Sequence, residues 1–248
     1  MSTLKTLLIG SGRLARHLEH WVHLNKPTSH SISLAESTPE QKLLIWNRKD
    51  SIEQLNELSE SADIIWLAIS DKSIVPFFEE HLKNSKAKVV HFSGALYDSR
   101  IFGTHPLMSF PQELLESEVY GQIQFAVDES VASLQSILPG FENSFFKIPS
   151  DKKALYHALC VTSGNFPQLL WSLCAKEFIN LNVPEKAFEL YILQITKLFL
   201  AHKEKSLTGP LVRGDLETIE KNISALSRNQ SLFAIYKTFA EVYKNGTL

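Results

Sequence analysis

The chain has 248 residues, 44% of them hydrophobic and 21% charged, enough to bury one large core or two modest ones. Its formal charge of −2, from 25 Lys+Arg against 27 Asp+Glu, excludes a global field that would draw it to nucleic acid or an anionic membrane. The charge is uneven: 13 basic and 18 acidic side chains lie in the first 150 residues and 12 and 9 in the remainder, as expected of a two-part chain.

Residues 4–9 (LKTLLI) are short, apolar and end at Gly10, the pattern of a buried parallel strand that feeds a tight turn. Residues 13–24 follow with helical spacing through Leu14, Leu18, Trp21 and Val22. Between them Gly10, Gly12 and Ala15 make a G-x-G-x-x-A, in which the first glycine permits the turn and the second lets phosphates approach the backbone. The alanine lets helix and strand pack closely, and the helix N–H groups face a pyrophosphate. Gly10, Ser11, Gly12, Arg13, Leu14 and Ala15 are therefore expected to bind a dinucleotide, the alternative being a plain glycine turn.

A polar stretch at 25–41, with Pro27 and Pro39, is longer than a usual helix-to-strand connection and predicts a surface insertion. Strands are expected at 42–47, 63–70 and 88–93, with helices at 51–60 and 72–84 between them. This alternation predicts an α/β fold with a doubly wound, mostly parallel sheet. The second strand ends Asn47-Arg48, with no carboxylate before Asp50 to hold the adenosine ribose. A guanidinium suits a 2′-phosphate, so NADP(H) is favoured over NAD(H), against the alternative of a solvated basic turn.

Ser70-Asp71 and Ser93-Gly94 close the third and fourth strands, on the edge where open α/β sheets bind ligands. Asp71 is expected to cap the next helix, Ser70 and Ser93 to line the cofactor, and Gly94 to line the substrate. Further strands are expected at 103–110, 122–127 and 143–148, with a helix near 129–138, so that the dinucleotide-binding domain spans 1–149. His105, in a Thr-His-Pro turn, is a candidate substrate contact.

From residue 150 to 248 the period is helical, predicting an all-helical domain for substrate binding and dimerisation. The stretch 151–181 is interrupted by Gly164 and Pro167. Lys153, His157 and Gly164 share one helical face, and Pro167 cannot donate to the Ser163 carbonyl, which predicts a kink there. His157, Ser163 and Asn165 are the catalytic candidates, against a reading of His157 as a satisfied core histidine. Residues 185–204 are apolar on nearly every face and must be buried all round, which predicts a homodimer partner. In LTGPLVRGD (207–215), Asp215 is placed to cap the following helix, and Arg213 is either a surface arginine or the anchor of a small anionic substrate. Cys160 and Cys174 are too far apart on helix for a disulfide, about 21 Å, and are expected as reduced thiols. No run of about 18 apolar residues and no leader-like segment is present, so a cytoplasmic location is expected, with no metal, membrane or nucleic acid bound.

Taken together, GSGRLARHL, HFSGAL followed by THPLMSFP, YHALCVTSGNF and LTGPLVRGD resemble the Rossmann-like proteins that carry a C-terminal domain of unknown function 2520, often labelled NADP oxidoreductases. That group is similar to pyrroline-5-carboxylate reductases, ketopantoate reductases and β-hydroxyacid dehydrogenases, in which a helical, often dimeric domain follows the dinucleotide domain; the Thr-His-Pro is similar to prephenate dehydrogenases. The resemblance implies hydride transfer to or from a small keto, imino or hydroxy metabolite. One departure stands out: the β-hydroxyacid dehydrogenases place a catalytic lysine four residues before an asparagine, and Val161 stands four before Asn165 here. A non-catalytic dinucleotide-binding or sensor protein is therefore the alternative.

Overall fold

β1 (Leu4–Ile9) pairs in parallel with β2 (Gln41–Trp46) on one side and β3 (Ile64–Leu67) on the other. The strand order reverses at this point, and a crevice opens at the strand ends of such a reversal. The computed structural model describes residues 3–25 and 41–246, so the predicted insertion at 25–41 lies almost wholly outside the described residues. The sheet continues through β4 (Lys88–His91), β5 (Phe102–Pro106), β6 (Phe125–Asp128) and β7 (Phe145–Ile148) in the order β2-β1-β3-β4-β5-β6-β7. Every pairing is parallel except β5 with β6.

The sheet's two faces carry separate cores. Leu8, Trp66, Val90 and Phe125 meet Trp21 and Phe141 on one face; Leu7, Ile9, Ile65, Leu67 and Val89 meet Leu55, Ile74 and Phe78 on the other. The period of two along strands buried on both faces explains their unbroken apolar runs. α1 (Arg13–Leu24) and α2 (Ile52–Ser61) follow the predicted spacing. α3 (Asp71–Phe77) passes into a π turn at Phe78–Leu82, and a short α4 (Ser117–Gln122) precedes β6.

The helix expected near 129–138 is not formed; only a 3-10 turn, Leu134–Ser136, occurs there. Val131, Leu134, Ile137 and Leu138 are buried at helix-like intervals, but the Ile137 carbonyl accepts the Trp66 indole N–H at 2.8 Å. Pro139 has no N–H to extend a helix.

The chain divides into two compact units, Met1–Gly164 and Asn165–Leu248. α5 (Lys153–Cys160) belongs to the first and runs into a π turn, Val161–Asn165. The second unit holds α6 (Phe166–Asn180), α7 (Glu185–His202), α8 (Pro210–Arg213), α9 (Leu216–Ala225) and α10 (Gln230–Lys244). Asp215 caps α9 as expected, accepting from the Thr218 N–H at 3.0 Å and the Thr218 hydroxyl at 2.7 Å. The expectation that α7 is buried all round is not met in the single chain: Leu190, Tyr191, Leu193, Phe199 and Leu200 are exposed. Among the described residues of this unit only Leu232 is buried. Cys160 and Cys174 are free thiols. Among the described residues no helix is long and apolar enough to cross a membrane.

Candidate functional site

The sharp turn after β1 depends on Gly10, whose φ of +139° disfavours any L side chain, and an added Cβ would strike the Ala68 carbonyl. Its N–H donates to the Trp46 carbonyl at 3.0 Å, and the Ala68 N–H donates to the Ile9 carbonyl at 2.9 Å, so the turn is held between β2 and β3. Gly12 is the N-cap of α1 and makes no side-chain cap bond, and a Cβ there would meet nothing within 4 Å. Ser11, Gly12 and Arg13 are exposed, while Ala15 is buried against the sheet. An uncapped helix start with open space before it and a close-packed alanine behind it fits a pyrophosphate.

At the end of β2, Asp50 turns back and accepts the Asn47 N–H at 2.9 Å, and the Asn47 side chain accepts the Lys49 N–H at 3.1 Å. The Asp50 carboxylate is thereby committed to the backbone. Arg48 is exposed between them.

The second cluster lies at the ends of β4 and β5 and the start of α5, all within the first unit. Ser93 is buried and donates its hydroxyl to Asp71 Oδ2 at 2.5 Å, while accepting the N–H groups of Ala95 (3.3 Å) and Leu96 (3.1 Å). Asp71 was expected to cap α3, but the N-cap is Ser70, whose hydroxyl lies 2.8 Å from that of Ser73, and the Asp71 carboxylate reaches Ser93 instead. His91, fully buried one register position from this loop, accepts the Ser93 N–H on Nδ1 at 3.2 Å. Burial first, and then the Lys153 ammonium, push the His91 pKa down to about 3, so it stays neutral with its proton on Nε2.

Gly94 is the pivot of the cluster. A Cβ on it would lie 2.6 Å from His157 Nδ1 and 3.2 Å from the His105 ring, so the missing side chain is what lets α5 bring His157 against the loop. The His105 and His157 rings stand edge to face, 5.7 Å apart. His105 Nδ1 is hydrogen-bonded to the Tyr156 hydroxyl at 2.9 Å. Burial, with His157 beside it, lowers the His105 pKa to about 4, whereas burial and Cys160 raise that of Tyr156. Among the described residues three buried side-chain polar atoms lack a partner: His91 Nε2, Thr104 Oγ1 and His157 Nδ1. All three belong to the β4–β5–α5 region, the concentration expected where a polar group is received.

Of the predicted residues, Ser93, Gly94, His105 and His157 are brought together. Ser163 donates its hydroxyl to the Leu159 carbonyl at 2.7 Å, back-bonded within its own turn. Asn165 begins the second unit, and Arg213 ends α8 there, exposed and beside Asp215. Sequence reasoning missed Tyr156 and the partner of Asp71. The adjacency Tyr156-His157 was in view, but nothing in the spacing ties Tyr156 to His105, which is 51 residues distant.

Residues 123–243 match the model of a family described as Domain of unknown function (DUF2520). Solved structures similar to this chain include a proposed NADP oxidoreductase of Bacteroides fragilis, 16% identical, with a TM-score of 0.74 over 97% of this chain and 98% of that one. A Thermotoga maritima protein is 23% identical, with a TM-score of 0.66 over 97% of each chain. A pyrroline carboxylate reductase of Plasmodium falciparum with NADP bound is 14% identical, with a TM-score of 0.53 over 99% of this chain and 98% of that one. No curated protein matches the sequence. These likenesses establish a Rossmann-like sheet followed by an all-helical region, the architecture expected from the sequence.

Proposed function

We propose that this protein is an NADP(H)-dependent oxidoreductase that transfers hydride to or from a keto, imino or hydroxy group of a small anionic metabolite. The observation that carries the reading is that the Gly10–Gly12 turn and the Ser93–Gly94–His105–His157 cluster stand on one edge of one sheet, at the carboxyl ends of β1, β4 and β5. Reductases that bind NADP are among the proteins sharing this fold.

NADPH, when bound, supplies the hydride. The chain's own residues do the rest. Gly10 makes the turn, Ser11, Gly12, Arg13, Leu14 and Ala15 hold the pyrophosphate through backbone N–H groups, and Asn47 and Arg48 hold the adenosine ribose and its 2′-phosphate. Ser70 and Ser93 line the nicotinamide side. His157 gives or takes the proton at the reacting oxygen or nitrogen through Nδ1, an atom with no partner in the fold. His105 is neutral near pH 7 and serves as a hydrogen-bonding wall rather than an acid. Ser163 and Asn165 orient the reacting group, and Arg213 neutralises the substrate's charge. A second copy of the chain covers α7, since an exposed apolar helix face of this extent marks an interface.

Thermal shift with NADPH and NADH, followed by a panel of keto, imino and hydroxy acids monitored at the nicotinamide absorbance, tests the proposal. NADPH at 100 times its dissociation constant should add about 2.7 kcal/mol of stability. NADH should add less, and Arg48→Ala should abolish the difference. Tight NADPH binding without turnover across the panel would favour a sensor.

A further inference from the structure

Lys153 is the one buried residue of α5, and its ammonium lies 2.5 Å from Asp128 Oδ1 at the end of β6. Both side chains are nearly removed from water, at 7% and 2% exposure. The other Asp128 oxygen accepts the Gly103 N–H at 2.5 Å, and Gly103 pairs with His91 across the β4–β5 register. A side chain at Gly103 would collide with the Lys153 ammonium and the Asp128 carboxylate, so backbone, anion and cation meet with no room between them.

The geometry points to the Lys153–Asp128 pair as the positioning device for the proposed proton donor. Lys153 is one helical turn before His157 and on the same face. The remaining residues of α5 are exposed or half-buried, so apolar packing does little to fix its rotation or depth. A buried ion pair is a weak source of net stability, yet it demands one geometry. Anchored at Asp128, α5 has a single register in which Tyr156 reaches His105 and the His157 imidazole fills the space left by Gly94. Lys153 acts through His157 and touches no reacting atom; this inference therefore rests on the proposed role of His157.

Removing one partner would leave an unopposed buried charge, so the test removes both. In Lys153→Met/Asp128→Asn the amide oxygen can still accept from Gly103. We expect a folded protein with NADPH affinity unchanged, turnover at least tenfold lower with the Michaelis constant for NADPH unmoved, and His157 imidazole ¹⁵N signals shifted or broadened. A folded double variant with wild-type His157 signals and wild-type turnover would overturn the inference. Should wild-type protein reduce nothing, the proposed function fails and the imidazole spectrum still decides the pair. Amide hydrogen exchange on the unaltered protein gives a measurement independent of any variant: α5 should exchange as slowly as β4 and β5, and exchange at the rate of a frayed surface helix overturns the anchoring.

Discussion

Acidification probes the two histidines that frame the cluster. In an unfolded chain each imidazole protonates near 6.5, whereas in the folded chain His91 is held down to about 3 and His105 to about 4. The unfolded state therefore binds protons first; stability is full above pH 6.5 and is lost as the pH falls toward 4 and then 3. At pH 5, one and a half units below the unfolded value, each group costs about 2 kcal/mol. His105 keeps some contact with water, so its share is the smaller and the combined loss is about 3–4 kcal/mol. Against a total on the order of 5–15 kcal/mol for a typical domain, that is a large fraction. Asp98, which Arg100 holds low, loses its contribution only below its ordinary 3.8 and does not confuse this window. Urea denaturation followed by tryptophan fluorescence at several pH values between 7.5 and 5 reads the loss directly. Imidazole NMR should show neither His91 nor His105 becoming charged above pH 5. A stability loss under about 1 kcal/mol, or either ring titrating near 6.5, would refute the burial argument.

Once a substrate is in hand, His157→Asn should cut turnover by roughly 10² to 10⁴ with NADPH affinity intact, as loss of a general acid does. Arg213→Ala should instead raise the Michaelis constant of an anionic substrate while leaving turnover nearly unchanged, which steady-state kinetics separates. Light scattering should give about twice the 28.1 kDa chain mass at micromolar concentration, and Leu190→Glu/Leu193→Glu on α7 should halve it. A monomeric wild-type protein would remove the dimer from the proposal.

The parts of the molecule that were legible in the sequence are those in which local chemistry and tertiary demand agree. β1, its glycine turn and α1 fall at 4–9 and 13–24 as the apolar run and the helical spacing require, because a turn with φ of +139° admits little but glycine. The segment 129–138 shows the reverse case: its apolar spacing is helical and buries Val131, Leu134, Ile137 and Leu138, yet only a 3-10 turn at Leu134–Ser136 forms, so the spacing reported burial and not helix. Asp71 failed in the same manner. A carboxylate at a helix start reads as a cap from sequence, and only the fold reveals that a buried serine 22 residues on competes for it. Lys153 is the sharpest instance. Its helical spacing to His157 was visible, but a lysine one turn before a histidine carries no hint that it is buried. That fact depends on Asp128, 25 residues earlier at the end of a strand, and on Gly103 leaving the space for both. Groups that act at a distance in sequence are those whose charges are worth burying only as a pair, so the residues hardest to read one at a time are the ones on which the placement of the cluster depends.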